Sequence, residues 1–169
     1  MGRLLAVTLA ITAICCSTAS ALPDPKLAAA VKRAMVAEMT ALVVPAGVAC
    51  PLDDVGWAAV QQHARAVISA AFAEPVRGTL LGGLLRPNNR DACVLAGGVD
   101  VYEPGSAREN GNHATATARV GIWNRFTVVN QVRAAEPHNL EDCTFELTRS
   151  ERDWLVAQYR CTFVPGHGP

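Results

Sequence analysis

Among the side chains of this 169-residue chain whose type and spacing could do chemistry, four cysteines come first: Cys50, Cys93, Cys143 and Cys161. An even set either closes disulfides or holds a metal. Zinc wants closely spaced cysteines or a histidine at ligand spacing; neither is present, so disulfides are the expected chemistry and no metal or cofactor is expected. His63 is the other candidate, three residues after Val60 and four before Val67, at the margin of an apolar helical stripe. From there it could enter a pocket as an acid or base, or simply pack at the rim. His113, His138 and His167 fall at a strand start, in a connection and in the tail, where a solvated histidine is ordinary. The chain contains no Gly-x-Ser-x-Gly elbow, His-Glu-x-x-His or compact carboxylate pair, and Gly82-Gly83 is followed by no Gly-Lys-Ser/Thr that would make a phosphate loop.

The elements that must position these groups are read from periodicity. Asp24 and Pro25 suit a helix start, and Leu27, Val31, Met35, Met39 and Leu42 form one apolar stripe that ends before Pro45. A second helix is expected from Asp54 to Glu74, capped by Asp53-Asp54 and stopped by Pro75, with Trp57, Val60, Ala64, Val67 and Ala71 as its stripe and Ile68 and Phe72 widening it. Residues 78–85 suit a short helix or an ordered cover over the core. From Cys93 the period becomes two. Cys93, Leu95, Val99 and Val101 are expected to face inward, with a bulge at Gly97-Gly98 and a loop through Pro104-Gly105 to Asn110-Gly111. The next strand alternates Ala114, Ala116, Ala118, Val120 and Ile122 with Thr115, Thr117, Arg119 and Trp123; its small inner side chains either admit a helix closely or leave a cavity. A closing hairpin surrounds Ser150-Glu151-Arg152-Asp153. If Ser150 faces Trp154, then Arg149 faces Leu155, Leu147 faces Ala157, Phe145 faces Tyr159 and Cys143 faces Cys161. That register pairs Cys143 with Cys161 and leaves Cys50 for Cys93.

Arg3, the apolar run Leu4–Ile14 and Ala19-Ser20-Ala21 read as a signal peptide over 1–21, with one α+β domain over 22–164 and a flexible tail over 165–169. Cys15 and Cys16 lie in the removed segment, and Ile14 stands where lipidation would want a small residue. Arg3 is the only charge in that segment, leaving 14 basic against 15 acidic residues. With no block of like charge and no long apolar run, neither nucleic-acid binding nor a membrane span is expected. The expected location is outside the cytoplasm. Helices followed by antiparallel strands give two or three N-terminal helices on one face of a curved, mainly antiparallel four-stranded sheet.

Two N-terminal helices, the Ala/Thr strand from His113 to Ile122 and the hairpin ending in Asp153-Trp154-Leu155-Val156-Ala157 resemble the nuclear-transport-factor-two-like, or SnoaL-like, cone superfamily. More narrowly they are similar to exported actinobacterial domains of this shape, sometimes joined to an amidase or another catalytic module. The resemblance implies a cone that can hold an acid with a histidine or tyrosine inside, in a cyclase, dehydratase or hydrolase, as well as domains without chemistry. Asp100 and Tyr102 have the spacing of such a pair, but alternation places them outside unless the Gly97-Gly98 bulge reverses the phase. The reading that follows is a non-catalytic binding or accessory domain for a partner protein, an envelope component or a small apolar ligand. Trp123, Trp154, Arg119 and Arg160 are expected on the outer sheet face as a docking surface, for a homodimer or another protein. The alternatives are a small enzyme with a pocket between the second helix and the sheet and His63 as its acid or base, and an accessory domain to a cell-wall amidase.

Overall fold

A computed structural model describes residues 24–128, 131–134, 139–151 and 153–167. The expected signal segment and His138 lie outside them. Helix α1 spans Pro25–Thr40; Asp24 caps it by accepting the Lys26 N–H at 2.8 Å, and Pro25 fills a position whose N–H would bond nothing. Helix α2 spans Asp54–Ser69 and is capped by Asp53, which accepts the Gly56 N–H at 2.7 Å. It ends earlier than Glu74, because the chain leaves the helix to join the sheet. Val156 N–H donates to the Ala71 carbonyl at 3.0 Å and Ala73 N–H donates to the Val156 carbonyl at 2.9 Å. Pro75 therefore precedes a separate helix α3, Val76–Leu84, whose last carbonyls, on Gly83 and Leu84, accept from the Asn89 amide. A 3-10 turn over Pro87–Asp91 leads to the strands.

The strands are β1 Ala92–Asn110, β2 His113–Val128, β3 Gln131–Ala134, β4 Asn139–Arg149 and β5 Trp154–Phe163. They form an antiparallel, curved and unclosed sheet in the order β1-β2-β4-β5, with the short β3 added against the end of β2. This is the expected α+β class with three helices; β3 is a strand that alternation did not reveal. The stretch from Pro104 to Asn110, expected as a loop, is strand, and the hairpin turns only at Gly111, where φ is +62°. Register shifts at Leu95, at Asp100 and around Gly105-Ser106 let β1 bend past its partner. Gly97 and Gly98 are not the bulge. A Cβ at Gly97 would collide with the Met39 carbonyl, and one at Gly98 would press on the Trp123 ring, so both glycines serve close approach.

Phe72, Phe145, Leu27, Met35, Ile68, Leu147, Val31, Val120 and Val156 are fully buried between the helices and the inner sheet face. Each such side chain contributes about 1.5–3 kcal/mol through removal from water. The alanines of α1 (Ala30, Ala34, Ala37) with Ala41 just past its end, and those of β2 (Ala114, Ala116, Ala118), share this cluster, so the small residues of β2 serve close helix approach. Both expected disulfides are present, Cys50–Cys93 and Cys143–Cys161. Cys93 anchors a second small cluster with Leu52 and Val60, against which Trp57 packs.

Candidate functional site

The closing hairpin keeps its expected register as far as Glu146, with Cys143 opposite Cys161 and Phe145 opposite Tyr159. Beyond it Ala157 is an extra residue, so Leu147 faces Val156 and Arg149 faces Trp154 rather than Ala157 and Leu155. One inserted residue reverses the phase of everything on its far side. Trp154 and Val156, expected outside, are therefore inside, at 5% and 0% exposure. Trp154 joins the core, its carbonyl accepts from Arg33 at 3.1 Å, and the Arg149 guanidinium lies 5.7 Å from its ring centre.

The bulge at Asp100 does the same to β1. Tyr102 turns inward opposite Val120 and Val101 turns out, correcting the expected alternation, while Asp100 stays outside against Gly121. Tyr102 Oη donates to the Ala28 carbonyl at 2.7 Å, and burial pushes its phenol up to about 12. Asp100 and Tyr102 thus do not form a site. Nor does His63 line any of the described hollows: it is half-buried, and its Nε2 lies 3.2 Å from the Thr40 carbonyl at the end of α1, tying two helices together.

The ionisable pair that does lie inside was not anticipated. Tyr159 Oη donates to Glu38 Oε1 at 2.7 Å, and Glu38 Oε2 is buried without a hydrogen-bond partner among the described residues. The Tyr159 ring stacks on Phe145 at 6.0 Å and tilts against Phe72 at 5.9 Å. Burial raises the Glu38 carboxyl above the usual range, against the lowering effect of the Tyr159 hydrogen bond, and the charge of Glu141 adds to the rise. Burial also raises Glu141 and, reinforced by Glu38, Tyr159. The sequence did carry a signal: Glu38 follows Leu27, Val31 and Met35 at spacings of four, four and three, a lone carboxylate within the apolar stripe.

The raised Glu38 value has a consequence for stability. The unfolded chain ionises near 4.5 and the folded chain only at higher pH, so stability falls as pH climbs from the ordinary carboxylate value through that of folded Glu38. Glu38→Gln, which can still accept from Tyr159, is expected to melt higher than the native protein at neutral pH, with the gap closing in acid below the usual carboxylate range. Thermal melts across pH check this; a gap of about 2–4 °C corresponds to 1 kcal/mol in a chain of this size.

On the outer face Trp123 lies half-buried across Gly98, Arg119 holds Asp142 through two hydrogen bonds of 2.8 and 2.9 Å, and Arg160 is exposed beside Thr144. The Arg119 guanidinium keeps the Asp142 carboxyl below its usual range. Thr115, Thr117, Thr144, Glu146 and Gln158 complete a polar surface with two shallow hollows, of about 370 Å³ beside Arg119 and Asp142 and about 480 Å³ beside His113 and Glu146. Glu141, Cys143 and Cys161 present ligand atoms within 4.8 Å of one another, but the disulfide engages both sulfurs. No described helix is long and apolar enough to cross a membrane.

No family model and no curated protein matches this chain. The crystal structure of the intermembrane space region of the chloroplast protein ARC6 is similar, with a TM-score of 0.53 at 9% identity over 82% of this chain and 95% of that one. That likeness is one of fold alone. The solution structure of a SEC-C motif containing protein from Rhodopseudomonas palustris, with a TM-score of 0.31 and 12% identity over 78% of this chain and 84% of the other, adds no argument.

Proposed function

We propose that this chain is a non-catalytic extracytoplasmic domain that holds a partner protein on the outer face of its sheet. The observation that supports the reading is the contrast between the faces: helices and core cover the inner one, while Thr115, Thr117, Arg119, Asp142, Thr144, Arg160 and Trp123 line a continuous outer one that no described element covers. Disulfide-bonded Cys50, Cys93, Cys143 and Cys161 fit an oxidising compartment, and the leading segment fits export. Three helices over a curved antiparallel sheet are compatible with the nuclear-transport-factor-two-like shape. The inner histidine and one inner tyrosine bond backbone carbonyls, the behaviour of structural ties.

With Trp154 in the core, the surface is tested through Trp123 and Arg160. Immobilised protein exposed to a cell-envelope extract is expected to retain a defined protein, and Trp123→Ala with Arg160→Glu is expected to cut that retention at least about tenfold, the scale of a hot-spot loss. Val55→Glu, on the distant exposed surface of α2, is expected to leave it unchanged. Equal retention by all three forms, or none by the native protein, refutes the reading.

One observation favours a second reading, a small acid–base enzyme: Glu38 is a part-buried carboxyl of raised affinity for protons, paired with a phenol, with one buried oxygen that has no hydrogen-bond partner among the described residues. That reading requires a turnover abolished by Glu38→Gln in a protein that still folds.

A further inference from the structure

We infer that β5 pairs with β5 of a second copy of this chain, edge to edge, to form one continuous sheet across a twofold axis. In an antiparallel ladder, residues alternate between pairs that exchange hydrogen bonds and closer pairs that direct their N–H and C=O groups away from each other. Cys143 and Cys161 form a pair of the second kind, their Cα atoms 4.1 Å apart. Tyr159 and Phe163, two residues to either side, share that phase, and Val164 confirms it by donating to Leu140 at 2.8 Å. The backbone groups of Tyr159, Cys161 and Phe163 therefore point off the sheet, because β5 is its last strand.

The first half of this edge is already occupied. The Trp154 carbonyl accepts from Arg33, and Val156 bonds residues 71 and 73. Among the described residues nothing bonds along the second half. There the edge lacks the usual protection of proline, lysine or a bulge, whereas β1 at the opposite edge carries Pro104 and three register shifts.

The side chains specify a second copy and its register. Setting Cys161 opposite its symmetry mate engages all three outward residues, with Tyr159 opposite Phe163 on both sides of the axis. Phe163, 50% exposed in the single chain, is then covered by an aromatic partner. On the other face Arg160, which has no ion-pair partner among the described residues, lies opposite Thr162 of the second copy, with that copy's Asp142 one strand further along the same row. Of the two neighbouring registers, one would set Arg160 directly against Arg160 and is disfavoured by charge, and the other would set Tyr159 opposite Pro165, which has no N–H to donate. Three outward residues from each copy make a small interface, so the dimer is weak and depends on concentration.

Sedimentation of the oxidised protein from roughly 10 µM to 1 mM is expected to show the mass rising toward twice that of the chain. Phe163→Pro removes one outward N–H and sets a ring on the edge while sparing the β4–β5 ladder, and is expected to remain monomeric with an unchanged circular dichroism spectrum. Arg160→Cys with Thr162→Cys places two thiols opposite two on the second copy, and is expected to give a dimer held by two new disulfides. This second variant decides the matter if the proline form does not fold. A native protein that stays monomeric throughout, or a dimer that persists in Phe163→Pro or fails to cross-link between positions 160 and 162, overturns the inference.

Discussion

Replacing Trp154 with alanine is expected to cost about 3–5 kcal/mol, the loss that follows when a large aromatic is cut from a core that can only partly collapse. The ring is 5% exposed and shares its cluster with Phe145, Leu147 and Val156. Trp123→Ala, on the outer face, removes contact with Gly98 but no core, and is expected to cost at most about 1–2 kcal/mol. Denaturant titration of the two variants compares them directly. The comparison tests the bulge at Ala157, since a straight hairpin would exchange the burial of Trp154 and Leu155; equal costs would mean that β5 continues in phase.

The second large effect concerns the disulfides. Cys50 and Cys93 are 43 residues apart, Cys143 and Cys161 only 18. In the chain-entropy model the loss on cutting the first is about 4 kcal/mol and on cutting the second about 3 kcal/mol. Cys50→Ala with Cys93→Ala is therefore expected to destabilise more than Cys143→Ala with Cys161→Ala. The longer bridge ties the loop after α1 to the start of β1, and the shorter one joins strands already held by their ladder. Guanidinium unfolding midpoints with matched slopes would check the order. A larger loss from the shorter bridge would show that closing the hairpin matters beyond loop entropy.

Much of this architecture is legible in the residues because local and long-range signals agree. Asp24 and Asp53 cap the helices they precede, Pro75 separates two helices, and the alternation around Phe145 and Tyr159 places both cysteines of the hairpin opposite each other. What escapes has one physical origin. A period-two reading assumes one residue for one along a ladder, and four register shifts, three in β1 and one in β5, break that count. The shifts at Asp100 and Ala157 reverse inside and outside beyond them, which sends Tyr102 and Trp154 inward, and the shift around Gly105-Ser106 accommodates Pro104 within β1. Glu38 escapes for a different reason: a lone carboxylate within the apolar stripe has no visible partner until Tyr159, on β5, supplies it.

The backbone stitch between residues 71–73 and Val156 carries a further implication for synthesis. The exit of the second helix cannot complete its bonding until β5 has left the ribosome, so the helical half must wait, partly unsatisfied, for that strand. The stitch thereby couples the helical half to the sheet, since neither side of it is satisfied without the other.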